Sequence, residues 1–388
     1  MLLTQEIISF ALALGFDLAG IAPVGPPPHR AAFDAWLERA FHGEMSYLAE
    51  RADVRRDPLK LAPGARSAIV LAASYAPGPL SPGSHDRSSG RIARYAWGTD
   101  YHEVIKSRLY SLDAFIRQQT GRQAPGRACV DTAPLLERDL GFLAGLGFYG
   151  RNTCLIAPGL GSWTFLAALL VPEELEGKRG APGLGREHAG AEPTSYVGCG
   201  RCTRCLDQCP THAFSQAYVL DARRCLSYLT IELRGPIPRE LRPLMDAWVF
   251  GCDVCQEVCP YNRFAPGLTM SALAPDASRA AVPLEQLLTL DEDGFRARFR
   301  GTAILRAKRR GLVRNACVAA GNAQDKAAVP LLASLLSDPE PLIRGHAAWA
   351  LGRLGGPAAG RALRDAGGAA AEPDAYVREE IAFALTMI

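Results

Sequence analysis

Four cysteines crowd into eleven positions of GCGRCTRCLDQCPTHAF (198–214): Cys199, Cys202, Cys205 and Cys209, the last followed by Pro210. A second run, GCDVCQEVCP (251–260), carries Cys252, Cys255 and Cys259 before Pro260, and Cys225 stands alone between the two. The C-x2-C-x2-C-x3-C-P spacing is that of bacterial ferredoxins holding two [4Fe–4S] cubanes. Three thiolates on one tight loop can cap three irons of a cubane. The fourth, on the outgoing helix, points away and serves the neighbouring cluster. Together the runs and Cys225 supply eight thiolates, enough for two clusters. Crossing over the terminal cysteines predicts cluster one from Cys199, Cys202, Cys205 and Cys259, and cluster two from Cys209, Cys225, Cys252 and Cys255. A pair of tetrahedral zinc sites is the alternative use of eight thiolates, but zinc ribbons favour two separated C-x2-C pairs. Two adjacent clusters make an electron relay, so the chemistry is redox.

The sequence has eleven cysteines; the three outside the runs, Cys129, Cys154 and Cys317, lie in apolar stretches and are assigned to the core. A dense thiol set that binds metal rather than forming disulfides belongs in a reducing compartment, and a cytoplasmic location is expected. The N-terminal stretch MLLTQEIISFALALGFDLAGIAP lacks a basic leader and carries Glu6 and Asp17. Its apolar residues Ile7, Ile8, Ala11, Leu12 and Leu14 recur near a 3.6 period, so a surface helix is expected rather than a signal peptide. No apolar run approaches the roughly 20 residues of a membrane span, and no membrane partner is expected. A formal charge of +3 limits any nucleic-acid surface to a local patch.

With 388 residues, the chain exceeds one ordinary core and reads as three consecutive blocks. Residues 1–185 alternate helix and strand patterns. SAIVLAASYA (67–76) and RACVDT (127–132) read as strands, and YHEVIKSRLYSLDAFIRQQTG (101–121) as a helix stopped by Gly121. APLLERDLGFLAGLG (133–147) reads as a second helix, and TCLIAPGLGSWTFLAALLV (153–171) as a hairpin about a Pro-Gly turn. The Gly-, Pro- and charge-rich stretch 172–197 is placed as a boundary loop, and 186–267 as the cysteine domain. In 268–388, LVRNACVAAGNA, LIRGHAAWALGRLGG and YVREEIAFALTMI align, with Arg314, Arg344 and Arg378 spaced 30 and 34 residues apart. Helix–turn–helix units at that interval indicate an all-α HEAT-like stack.

The first block needs an electron acceptor, and it has no GxGxxG after a strand to bind a nucleotide. Asp131 closes the strand ACV before a helix opened by Pro134; it can cap that helix or serve as a general acid. Tyr95, Trp97, Tyr101 and His102 of RYAWGTDYHEVI are read as a buried aromatic cluster, with a catalytic role as the alternative for His102. GFYGRNT (147–153) is a glycine turn presenting Arg151 and Asn152. ILRAKRRGLVRNA (304–316) places Arg306, Lys308, Arg309 and Arg310 at the opening of the repeats, where a basic run can grip phosphates.

WGTDYH, VDTAPLLER, GFYGRNT, GCGRCTRCLDQCPTHAF, CLSYLTIELRGPIP, GCDVCQEVCP and IRGHAAWALGRLG, in that order along nearly the whole chain, resemble the epoxyqueuosine reductases. The resemblance implies reduction of epoxyqueuosine to queuosine at the tRNA wobble position. It implies a cobalamin lying between the first domain and the ferredoxin-like domain, with electrons passing from a cluster to cobalt. The fold it implies is multidomain α+β: an α/β cobalamin-binding domain, a ferredoxin-like domain with two [4Fe–4S] clusters, and the C-terminal repeats. It further implies that Asp131 is the proton donor and that Arg55, Ala93, Leu155, Leu166 and Ser227 line the corrin pocket. The loop Cys252, Asp253, Val254 and Cys255 is implied to lie between cofactor and cluster two, and Arg234 to approach the tRNA. No histidine stands out as a lower cobalt ligand. An external electron donor and a monomeric chain are expected.

Two other readings compete. Reductive dehalogenases share the cobalamin-plus-two-cluster plan but are normally exported behind a twin-arginine leader and lack helical repeats. An electron-transfer adaptor would hold two clusters and no corrinoid. The repeats themselves suit either an RNA cradle or a protein-docking platform, and steep salt dependence of binding separates the two.

Overall fold

The computed structural model describes residues 2–76, 87–177, 198–263, 265–367 and 372–388. Most of the expected boundary loop, 178–197, with the 185/186 division, lies outside the described residues. The chain forms two compact units, each built from separated stretches of sequence. The first contains Met1–Pro79, Gly98–Ala222 and Val254–Pro275; the second contains Leu80–Trp97, Arg223–Asp253 and Asp276–Ile388.

A four-stranded sheet organises the first unit, in the order Leu18–Pro23, Ser67–Ser74, Thr164–Val171, Arg127–Cys129. Every pairing is antiparallel, with Leu18 opposite Ala72, Ser67 opposite Val171 and Arg127 opposite Leu170. The strand Ser67–Ser74 is buried along its whole length, which explains its unbroken apolar run. Side chains alternate across a sheet. Ala68, Val70 and Ala72 pack with Leu140, Ala144 and Leu146 on one side. Ile69, Leu71 and Ala73 point the other way and are as deeply buried. The helices Leu2–Ala13 and Tyr101–Thr120 pack against each other and against this sheet. Tyr101–Thr120 ends at Gly121, whose φ of 73° is the left-handed C-cap that glycine adopts without penalty.

Two expectations change here. The helix expected over 133–147 spans only Glu137–Leu143, because 131–136 is drawn into an irregular loop. The expected hairpin is not one: Leu155–Ile156 pairs with Phe148–Tyr149, and Thr164–Val171 joins the main sheet. Only a bridge between Ala157 and Gly161 closes the turn between them.

In the second unit a small sheet has Ser89–Ile92 at its centre, parallel to Trp248–Phe250 and antiparallel to Ala281–Pro283. The repeats form its other part. Helices Lys308–Ala323, Pro341–Leu354 and Ala375–Leu385 stack in succession, with Val329–Ser334 and Gly356–Gly367 between them. The aligned arginines explain part of the repeat. Arg344 donates to the carbonyls of Asp338 and Pro339, and Arg378 to those of Glu372 and Pro373, the same offsets in each repeat. Arg314, fully buried, donates instead to the carbonyls of Leu229, Leu233 and Gly235. These lie at and beyond the end of the helix Leu226–Ile231, so the first repeat caps that helix. A buried two-bond ion pair between Arg242 and Glu380 (2.7 and 2.8 Å) ties the 237–246 segment to the last repeat helix.

Candidate active site

Cys199, Cys202, Cys205 and Cys259 line one cavity, whose wall also includes Arg151, Ile156 and Tyr261. None of the eleven cysteines is in a disulfide. Burial pushes the Cys205 thiol up to about 11, and the neighbouring Cys199, Cys259 and Cys202 add like-charge repulsion. Four thiols around a cavity suit a polynuclear centre, whose positive irons reverse that penalty and hold the thiolates deprotonated. Among the described residues, no three His, Cys, Asp or Glu side chains are grouped as a single metal ion requires.

The loop is secured from the GFYGRNT turn, which sequence reasoning treated as an ordinary turn. The Arg151 N–H donates to Cys199 Sγ at 3.4 Å and its guanidinium to the Gly200 carbonyl at 2.8 Å. The Asn152 amide reaches the Cys255 carbonyl at 3.4 Å, and the Tyr261 hydroxyl donates to the Gly198 carbonyl at 2.9 Å. Amide donors to cluster sulfurs tune reduction potential. The missed signal was chemical: an Arg-Asn pair directly after a glycine turn supplies donors for a thiolate loop.

Of the other four cysteines, Cys209 and Cys255 belong to the first unit and Cys225 and Cys252 to the second. Cys209 Sγ accepts from the Ala213 N–H at 3.3 Å. Cys225 is the N-cap residue of Leu226–Ile231. Cys252 follows Gly251, whose N–H donates to Thr230 Oγ1 of that helix at 2.9 Å. The three cysteines assigned to the core keep their protons: burial pushes Cys129 up to about 12 and raises Cys154 and Cys317 as well.

Asp131 lies two residues beyond the strand Arg127–Cys129, with φ +53° and a side chain 62% exposed. It does not cap a helix; Glu137–Leu143 starts six residues later behind Leu136. Its Oδ2 lies 3.2 Å from His102 Nε2, and His102 Nδ1 lies 2.7 Å from Asp100 Oδ1. Burial opposes charge on His102, but its bonds to Asp100 and Asp131 prevail and raise its pKa to about 9. At neutral pH the imidazole is therefore protonated and donates to both carboxylates. The aromatic reading of His102 is half of the answer, since its ring stacks on Tyr101 (centroids 4.1 Å) and Tyr101 stacks on Phe165 (4.1 Å). Glu137 completes the group, its Oε1 accepting the Asp131 N–H at 2.7 Å. Burial, then the Asp131 charge, pushes the Glu137 carboxyl up to about 8. Sequence reasoning singled out neither Asp100 nor Glu137; Asp100 is also the N-cap of Tyr101–Thr120.

Arg55 is 6% exposed, and its guanidinium reaches the Tyr47 and Arg51 carbonyls at 3.2 and 3.3 Å. Burial lowers its pKa. A buried cation with two long carbonyl contacts suits a ligand rich in acceptors. In the same unit Leu155 is buried, Leu166 is half-buried, and both close on Gly141. In the second unit Ala93 is buried against Gly251, where an added Cβ would lie 2.4 Å from the Ala93 methyl. Asp253 there is buried and accepts the Arg94 N–H at 2.9 Å; Ser227 is half-buried. Val254, in the first unit, is half-buried and opens a short helix, Val254–Glu257.

The five basic candidates differ. Arg306 pairs with Glu232 (2.8 and 3.0 Å) yet is 53% exposed, and Arg234 donates to the Arg306 carbonyl at 3.1 Å. Lys308 is exposed and Arg310 half-buried. Arg309 is spent inside the stack, on the Leu290 carbonyl and on Asp338, and is a packing residue.

The fold and site define a redox enzyme: an iron–sulfur domain joined to an acid–imidazole site and a helical repeat stack. The family described as a 4Fe-4S double cluster binding domain matches residues 198–262, a span that contains all eight cysteines of the two runs and Cys225. HEAT repeats match 302–386, and the family described as epoxyqueuosine reductase QueG, DUF1730, matches 55–132. The epoxyqueuosine reductase of Pseudomonas aeruginosa is 40% identical over 91% of this chain and 95% of its own. That of Escherichia coli is 36% identical over 90% of this chain and 89% of its own. A crystal structure of epoxyqueuosine reductase with an epoxyqueuosine-modified tRNA-Tyr stem loop superposes with a TM-score of 0.88 at 29% identity, covering 100% of this chain and 98% of that one. A Bacillus subtilis epoxyqueuosine reductase, described with its catalytic aspartate loop swung out of the active site, gives 0.84 at 29% identity over 100% and 99% of the two chains. The chain belongs to the epoxyqueuosine reductase family and is an oxidoreductase. No described helix is long and apolar enough to cross a membrane.

Proposed function

We propose that this protein reduces epoxyqueuosine to queuosine in the wobble position of tRNA, using two [4Fe–4S] clusters and cobalamin. The observation that carries the reading is the convergence of Cys199, Cys202, Cys205 and Cys259 on one cavity. Cluster two is assigned to Cys209, Cys225, Cys252 and Cys255, supported by the double-cluster family match. The functional blocks are 1–185, 186–267 and 268–388, in keeping with the matches at 198–262 and 302–386. The site belongs in the cytoplasm, where thiolates stay reduced. The chain acts as a monomer served by an external electron donor.

Arg55, Leu155 and Leu166, with Ala93, Ser227 and the 252–255 loop, are assigned to cobalamin; the buried Arg55 guanidinium fits its amide and phosphate periphery. When bound, cobalamin would supply the reducing electrons for the epoxide. The remaining chemistry belongs to the chain. Converting an epoxide to an alkene consumes two electrons and two protons and releases water, and the oxygen leaves poorly unless protonated. Asp131 delivers that proton. His102, protonated at neutral pH and 3.2 Å away, reloads it, and Asp100 holds the ring. Arg234, Arg306, Lys308 and Arg310 contact the tRNA backbone.

The test is turnover of an epoxyqueuosine-modified tRNA stem loop by anaerobically reconstituted, reduced protein, read by mass spectrometry of the nucleosides. Loss of one oxygen only when cobalamin is supplied supports the proposal. Equal turnover without cobalamin overturns the cofactor assignment, and no turnover in either arm overturns the substrate.

A further inference from the structure

Asp131 occupies a left-handed backbone conformation, φ +53°, that a residue with a Cβ adopts only when its surroundings impose it. Ala133 and Leu135 anchor the course of the loop in the core, and a further tie reaches Asp131 itself. Residues 132–136 have no regular structure, and their backbone bonds are short-range: Thr132 N–H to the Val130 carbonyl, Leu135 N–H to the Ala133 carbonyl, and the Leu136 carbonyl accepting from Asp139 and Leu140. The longer reach comes from Glu137. As the first residue of the helix Glu137–Leu143, it extends back from an anchored element to take the Asp131 N–H at 2.7 Å. That bond closes the loop on itself. The helix behind it is held in the core by Leu140, which is 3% exposed. With the Asp131 amide fixed, its carboxyl is turned toward His102 rather than toward its own loop.

We propose that Glu137 is a positioning residue: by holding the Asp131 amide it latches the 131–137 loop with the Asp131 carboxyl aimed at His102. The proposal rests on the assignment of Asp131 as proton donor. It gives Glu137 no contact with substrate. A neutral carboxyl serves the purpose, since its carbonyl oxygen accepts the amide without setting a second negative charge beside Asp131. Arg138 and the protonated His102 are the neighbouring cations.

Glu137→Gln keeps an acceptor oxygen in the same place, whereas Glu137→Ala removes it. With the reconstituted full chain and the modified stem loop, Glu137→Ala is expected to lower kcat about 10- to 100-fold while KM stays within about twofold. Iron content is expected to be unchanged in both variants. Glu137→Gln is expected to retain kcat within about threefold. Hydrogen exchange at the Asp131 amide should accelerate in Glu137→Ala and stay slow in Glu137→Gln. Wild-type kcat in Glu137→Ala, or equal impairment of the Gln and Ala variants, would overturn the latch. If the alanine variant fails to fold, a fast-exchanging Asp131 amide in folded Glu137→Gln does the same. Asp131→Asn, assayed in parallel, keeps the two ideas apart. An active Asp131→Asn removes the proton-donor reading. An inactive one beside an active Glu137→Ala removes only the latch.

Discussion

At the scale of single residues, the site works by setting neighbouring charges against one another. His102 lies between two carboxylates, so its proton stays on to about pH 9; Glu137 is half-buried beside the Asp131 charge, so its proton stays on to about pH 8. Both pKa values lie above their unfolded values, so both groups favour the folded state at low pH and lose that preference as pH rises. For Glu137 the loss runs from about 4.5 to about 8, and for His102 from about 6.5 to about 9. Melting temperature should therefore fall between pH 6.5 and pH 9, and fall less in a Glu137→Gln, His102→Gln double variant. Parallel melting curves for the two proteins would contradict this. Asp131→Asn should retain iron and bound cobalamin yet lose about 10²- to 10⁴-fold in turnover. Full turnover would remove Asp131 as the acid. Asp131 was legible because it ends an apolar strand. Asp100 and Glu137 were not: Asp100 takes its meaning from the contact of its neighbour His102 with Asp131, 29 residues away, and Glu137 reaches back six residues across an irregular loop.

At the scale of elements, the short helix Leu226–Ile231 links two of the proposed cluster ligands to the repeats. Cys225 precedes it, Thr230 within it accepts the Gly251 N–H beside Cys252, and Arg314 of the first repeat caps its far end. Cys225→Ser should lower iron from about eight to about four atoms per chain. Loss of all iron, or of none, would break the crossed ligand scheme. Arg314→Ala leaves one buried and two half-buried carbonyls without their donor and should cost about 3 kcal/mol, read as a lowered denaturation midpoint. An unchanged midpoint would show that water replaces the guanidinium. The repeat period pointed to Arg314, Arg344 and Arg378 together, but only the structure separates the first, which leaves the pattern to reach another element. The spurious hairpin has a related cause. Two apolar runs about a turn look alike whether they pair with each other or with other strands, and here Phe148–Tyr149 and Ser67–Ser74 take the pairings.

At the scale of the whole molecule, the cysteine spacing announced the iron–sulfur domain and the arginine interval announced the repeats. The sheet class did not follow, because a strand buried on both faces has the same apolar run in parallel and antiparallel sheets. A formal charge of +3 leaves RNA binding to local basic residues. Replacing Lys308 and Arg310 with Ala should weaken stem-loop binding and reduce its salt dependence by roughly one phosphate contact per side chain. Arg309→Ala should lower stability with the salt dependence intact, since its guanidinium is bound to Asp338. Identical salt slopes in all three variants and wild type would return this run to a plain solvated face. The redox chemistry as a whole stands on the thiolates. Its most direct test is iron and sulfide analysis, with electron paramagnetic resonance, of the protein purified and reconstituted without oxygen. About eight iron and eight sulfide per chain, with two interacting cubane signals on reduction, are predicted. A colourless protein holding zinc, or one that saturates at a single cluster, would contradict it.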